Sequence, residues 1–451
     1  MIDRTAGASA GAGSPIHDNG GPAGFFNPAG PDGFFQFVSS NPQAQAPGRM
    51  TAVERRASGS LAAIFAARML GLFLVLPVFA LEAMRYPGGD DPSRVGLAMG
   101  IYGLTQGLLQ IPFGMASDRF GRKRTIIIGL LVFAAGSFLA AAADSLAGLI
   151  AGRSLQGAGA VSAAVTALLA DQTRDEVRTK AMAIVGASIG LMFALSLVAA
   201  PLLVTHIGLS GLFAVTGALA LGCIAIVAWW TPPEPLQHKN VPRGRLAEVL
   251  NHSGLLRLDI GVFVLHAVQL AMWMAIPTLL VQAGLARENH WHVYLPAVLA
   301  SFLVMGFTLF PLERRGYLRA VFLGAGGRGG LVQVGLLLVA SQPSVAALAA
   351  LLFVFFCGFN VLEASQPSMA SRIAPPHARG AALGVYNTLQ SVGFFAGGAV
   401  GGWLIKNVGP SGLFAACAGL MLLWLGVAWP MRAPRPASSA DAVLAGEAQA
   451  T

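Results

Sequence analysis

Between Gly114 and Arg124 the chain reads Gly-Met-Ala-Ser-Asp-Arg-Phe-Gly-Arg-Lys-Arg. Asp118 stands four residues before Arg122, close enough for a charge-assisted hydrogen bond that locks a short loop, and Gly121 permits the tight turn between them. Asp118 could equally face the positive N-terminal end of a neighbouring helix. Such a lock would bias one of two global conformations. The plainer reading is a basic loop that only sets topology.

A second set of ionisable residues lies inside apolar runs: Arg68, Arg153, His266, Arg328 and Glu363. A charge within lipid costs about 2.5–3.5 kcal/mol on insertion scales, so each is a functional candidate by default. Glu363 lies in Asn360-Val361-Leu362-Glu363-Ala364-Ser365-Gln366. Burial disfavours its charged form, as a proton carrier requires. Its alternative is a structural ion pair with a cation such as Arg68. His266 is either a titrating group or a satisfied interior residue. Arg328 follows Arg319 by nine residues and can snorkel toward the interface. Tyr102, Gln106, Gln110, Gln269, Trp273, Asn360, Tyr386, Asn387 and Gln390 add hydrogen-bonding groups to otherwise apolar segments. Several are expected to line a cavity suited to an amphiphilic organic substrate; the alternative is helix packing.

The elements that carry these residues follow from composition. Of 451 residues 55% are hydrophobic and 11% charged, against about 25% charged in soluble domains. So few charges cannot coat a water-exposed particle. A bilayer core needs about 20 apolar residues per helix. The pattern predicts twelve spans, near 58–83, 94–116, 125–143, 146–170, 181–204, 210–230, 256–283, 292–311, 319–340, 344–366, 380–405 and 411–431. Residues 1–48 read as a disordered Gly/Ala/Pro tail. Residues 49–230 form a first six-helix bundle, 231–255 a cytoplasmic linker, 256–432 a second bundle, and 433–451 a disordered tail. Of the 29 Lys and Arg residues, 22 fall on the side of the N-terminus; only Arg85, Arg94, Arg287 and Lys406 fall opposite. The positive-inside rule then places both termini in the cytoplasm, which an odd span count would spoil. Arg178-Thr179-Lys180-Ala181 has an echo in Arg379-Gly380-Ala381-Ala382, and the Asp118 loop a degraded one in Leu312–Tyr317. Such repeats put a transport site at the midplane between halves.

Several functions lose support. The net charge of +9 is dispersed over short loops, not one soluble basic face, so no nucleic-acid partner is expected. Cys223, Cys357 and Cys417 build neither a disulfide framework nor a metal site. Gly324-Ala325-Gly326-Gly327-Arg328-Gly329 matches G-x-G-x-x-G without a βαβ unit around it and is a false positive. No Walker or H-E-x-x-H motif occurs; no enzyme activity, metal or cofactor is expected. Gly96/Gly100, Gly103/Gly107 and Gly397/Gly401 read as close helix packing.

The Gly-x-x-x-Asp-Arg-x-Gly-Arg-Lys loop resembles the signature of the major facilitator superfamily. Arg153-Ser154-Leu155-Gln156-Gly157-Ala158-Gly159-Ala160 resembles a second motif, from its drug/proton antiporter branch. Arg68-Met69-Leu70-Gly71, Gly100–Gln106 and Ile111-Pro112-Phe113-Gly114 look similar to YajR-type bacterial inner-membrane transporters. The resemblance covers about residues 50–432. It implies an all-α membrane protein with two pseudo-symmetric six-helix bundles, working as a monomer by alternating access in a bacterial inner membrane. Its partners would be lipid, protons and a small-molecule substrate. It assigns the conformational latch to Asp118, Arg122 and Asp171 with Gly114 and Gly121, and proton coupling to Arg153; Glu363, His266 and Arg68 stay coupling candidates on their place within apolar spans alone. Export is the implied direction. The span-five motif departs from the antiporter pattern at Ala199-Ala200-Pro201, and the soluble C-terminal domain of the YajR type is not expected. A proton-symport importer and a non-transporting sensor are the alternatives.

Overall fold

The computed structural model describes residues 49–234, 246–315 and 317–431. The expected tails and most of the linker lie outside these. Among the described residues every regular element is helical: α1 (Ala52–Ala83), α2 (Pro92–Phe120), α3 (Arg122–Ala141), α4 (Leu146–Ala158), α5 (Ser162–Asp171), α6 (Asp175–Ala225), α7 (Leu246–Leu250), α8 (Ser253–Gln282), α9 (Trp291–Arg314), α10 (Leu318–Val339), α11 (Val345–Ile373) and α12 (Arg379–Ala428). Eight stretches are long and apolar enough to cross a membrane by themselves. Two of these, within α6 and α12, each hold two spans joined at one non-helical glycine, Gly208 (φ 65°) and Gly409 (φ 70°). With α2 and the α4–α5 pair, twelve spans result. Span four is thus not one helix; Gly159, Ala160 and Val161 interrupt it.

The two halves repeat. Gly208 and Gly409 stand 201 residues apart, inside Ile207-Gly208-Leu209-Ser210-Gly211-Leu212-Phe213-Ala214 and Val408-Gly409-Pro410-Ser411-Gly412-Leu413-Phe414-Ala415. Left-handed backbone at both turns explains why glycine occupies each. The capping device also recurs. Lys123, second in α3, donates to the Thr231 carbonyl at 2.6 Å, and Arg319, second in α10, donates to the carbonyls of Met431 (2.9 Å) and Trp429 (2.6 Å). Each cation meets the negative end of its half's last span.

Glycine decides how the halves meet. A Cβ on Gly96 would stand 2.2 Å from the Gly398 carbonyl oxygen, on Gly103 2.4 Å from that of Ser391, and on Gly398 2.6 Å from that of Gly96. Only glycine allows this backbone-to-backbone approach of α2 and α12. The seam stops partway. Continuing the same face of α2, Ile111 and Met115 are exposed, and on α12 a Cβ at Gly384 or Gly380 would meet nothing within 4 Å. The helices therefore splay toward the Asp118 face and touch on the far one.

Gly398→Val is expected to wedge this seam at a cost of about 1–3 kcal/mol. Spin labels at Ser93 and Asn407 should then report a longer far-face distance; an unchanged distance distribution would remove the seam from the account.

Candidate functional site

At the end of α2, Asp118 receives the Arg122 guanidinium, which also donates to Ser117 Oγ (2.7 Å) and Asp171 Oδ2 (3.0 Å). Gly121 makes the turn at φ 100°, a conformation costly for residues with a Cβ. Gly114 sits against α5 with room to spare, a Cβ there lying 3.8 Å from that of Ala163. The three charged residues singled out from sequence therefore converge. One partner was missed: Glu234, at the start of the linker, accepts from the backbone N–H of Arg122 (3.0 Å) and Lys123 (2.6 Å). Both its oxygens cap α3, where the helix presents unsatisfied N–H groups. A lone acidic residue among the prolines Pro232, Pro233 and Pro235 was the signal. Nearby, Glu54 takes three side-chain and backbone bonds from Arg174.

The far face holds a different device. All four basic residues there share two carboxylates. Glu82 pairs with Arg85 (2.9 Å) and Arg287 (2.8 Å), and Asp91 with Arg94 (4.0 Å) and Lys406 (2.8 Å). The Arg287 and Lys406 pairs join one half to the other.

Between the faces lie two polar clusters. In the first half, Arg68 donates to Ser162 Oγ (2.6 Å), Tyr102 OH (2.9 Å) and Gln106 Oε1 (3.4 Å). Arg153, 1% exposed, donates to Gln156 Oε1 (2.8 Å) and the Met99 carbonyl (3.2 Å), its guanidinium 4.9 Å from the Tyr102 ring centroid. In the second half, Glu363 Oε2 lies 3.3 Å from His266 Nε2, and Gln390 Nε2 lies 2.8 Å from His266 Nε2 and 3.2 Å from Glu363 Oε1. The Glu363 partner is thus His266 rather than Arg68, because Arg68 spends its donors within its own half. Arg328 is exposed on α10 and contributes to neither cluster's hydrogen bonds.

The remaining residues scatter. Asn360 donates to Ser301 Oγ at 2.7 Å. Gln269 and Trp273 line a small apolar cavity with Met272, Ile276, Leu352, Phe355 and Phe356. Gln110 is buried with its carbonyl oxygen unpaired, and the Tyr386 hydroxyl is likewise unpaired. Asn387 is half-buried one residue on. Asp259 escaped the sequence reading, although it is an acid within an apolar run. It is 4% exposed on α8, within electrostatic reach of Tyr386 together with Glu363.

Two variants test the Asp118-face charges. Asp118→Asn should shift the balance of open forms while leaving folded yield nearly intact, read as cysteine accessibility on the two faces; unchanged accessibility would refute the latch. The hydrogen bonds from Arg174, with help from Thr51, hold the Glu54 carboxyl down at about 2, against about 4.3 in an unfolded chain. Its stabilisation is complete above that unfolded value and disappears as pH falls toward about 2. Melting of Glu54→Gln should therefore respond less than wild type to acidification from about pH 5 to about pH 3.

Comparisons with known proteins bear on the family and the fold. The Major Facilitator Superfamily model matches residues 61–398 and 312–449. The inner membrane transport protein YajR of Escherichia coli is 41% identical over 396 residues, covering 87% of this chain and 86% of that protein. The multidrug resistance protein MdtH of Aeromonas salmonicida is 28% identical over 347 residues, covering 74% of this chain and 84% of its own. The solved nucleoside transporter NupG superposes with a TM-score of 0.67 at 12% identity, over 83% of this chain and 99% of that one, a likeness of fold. The chain belongs to the major facilitator superfamily of membrane transporters.

Proposed function

We propose that the chain is a proton-coupled exporter of small amphiphilic organic compounds, working by alternating access with both termini in the cytoplasm. The observation that carries the coupling is the His266–Glu363–Gln390 trio. His266 Nδ1 lies 2.9 Å from the Val262 carbonyl oxygen and donates there. The Gln390 amide nitrogen faces both His266 Nε2 and Glu363 Oε1 and supplies a hydrogen to each. Glu363 Oε2 then has no donor. One additional proton, shared between that oxygen and the imidazole, completes the cluster. The histidine is 2% exposed whereas the Glu363 side chain is 41% exposed, so the proton enters and leaves through the carboxylate.

This trio adjoins the seam between halves. The Phe394 ring packs on His266 at 4.8 Å between centroids, and Phe394 Cβ lies 3.0 Å from where a Cβ of Gly103 would stand. Reorganising the trio on proton release therefore presses on the α2–α12 contact. In the form described here, the far-face pairs Glu82–Arg287 and Asp91–Lys406 hold the halves together. The opposite form breaks them and brings together the splayed ends of α2 and α12. Asp118, Arg122 and Asp171 act as the latch that biases which of these forms is populated. Export rests on the Arg153 stretch and on the similarity to MdtH.

In proteoliposomes with an imposed pH gradient, Glu363→Gln should abolish gradient-driven transport of naphthalene-based amphiphiles while preserving gradient-independent exchange. Undiminished gradient-driven transport would discard the trio as the proton site. Everted vesicles give direction, since an exporter accumulates the probe inside.

A further inference from the structure

The offset of 201 residues between Gly208 and Gly409 carries Ser162 onto Glu363. The same meeting point, of a half's first span with its fourth, is thus used twice. In the second half a cation-capable side chain, His266, meets a carboxylate at 3.3 Å. In the first half a permanent cation, Arg68, meets only the Ser162 hydroxyl at 2.6 Å. The carboxylate that symmetry would provide is replaced by a neutral group.

Nothing nearby makes up the deficit. Arg68 is 2% exposed and its three acceptors, Ser162, Tyr102 and Gln106, are all uncharged. Its Nε has no partner. Arg153, on the other side of the Tyr102 phenol, also lacks a carboxylate and also has an unpartnered Nε. Among the described residues neither arginine has an acid within ion-pair distance. Two buried guanidiniums therefore flank one ring without a counter-charge, and buried charges are ordinarily paired. Ser162 and Gln106 are only half-buried, so the rim of the cradle is open to a ligand.

We infer that the Arg68–Ser162–Gln106 cradle is the headgroup site for an organic monoanion, a carboxylate or sulfonate, whose charge replaces the missing acid. A planar two-oxygen anion matches the guanidinium fork. The apolar body has a path from there. Phe73 packs against the small apolar cluster that includes Tyr102, and the rings of Phe73, Phe193 and Phe356 follow one another at 5.0 Å and 5.9 Å across to the second half. The first half thus carries the cationic Arg68 cluster and the second the Glu363 carboxylate. This deepens the transport reading and rests on it.

The test uses purified full-length protein and three probes with one ring system: naphthalene sulfonate, neutral naphthamide, and trimethyl(naphthylmethyl)ammonium. Calorimetric binding should favour the sulfonate. Arg68→Gln should weaken the sulfonate about tenfold or more and leave naphthamide unchanged, while Arg68→Lys should retain part of the preference. Ser162→Asp should supply the internal counter-charge, abolish the preference and raise the melting temperature, which guards against reading misfolding as lost binding. Equal or better binding of the cation, no binding of any probe, or a sulfonate affinity indifferent to both substitutions overturns the inference. Gradient-driven movement of the cationic or neutral probe would do so while leaving the transport reading intact.

Discussion

A charge placed in lipid must be paired, neutralised or put to use, and that constraint organises this molecule. On the Asp118 face, basic side chains abound, and the acids Asp118, Asp171, Glu234 and Glu54 bind them into a rigid cluster. On the far face only two acids serve four cations, and two of the resulting pairs bridge the halves. Glu82 is the more buried of the two acids, 5% exposed.

Two moving parts follow from this arrangement. The glycine seam lets α2 and α12 share backbone contact, so a small rotation there becomes a large opening at the ends. Phe394 ties the seam to the His266–Glu363–Gln390 trio, because one side chain touches both. In the proposed cycle, coupling is a matter of contact between a two-state element and the group whose charge biases it, as thermodynamic linkage requires.

How much of this could be read from residues alone depended on range. Hydropathy and the Lys/Arg bias anticipated twelve spans because lipid imposes length and sidedness locally. The Asp118–Arg122 contact was legible because four residues of helix end and one glycine turn fix it. Pairings across distant helices were not. Whether Glu363 meets Arg68 or His266 depends on the rotation of α8, α1 and α11, which no spacing encodes. The break at Gly159 was hidden inside a uniformly apolar run. The Glu234 cap required knowing that the end of the first half brings Glu234 over α3, and Asp259 was masked by the length of its apolar surroundings.

Infrared difference spectroscopy of the protonated-carboxyl stretch addresses the central claim directly, comparing protein trapped open on the Asp118 face with protein trapped open on the far face. The account predicts one carboxyl band that differs between the two forms, disappears in Glu363→Gln, and shifts when His266 is replaced by glutamine. A Glu363 side chain that keeps the same protonation state in both forms would contradict it.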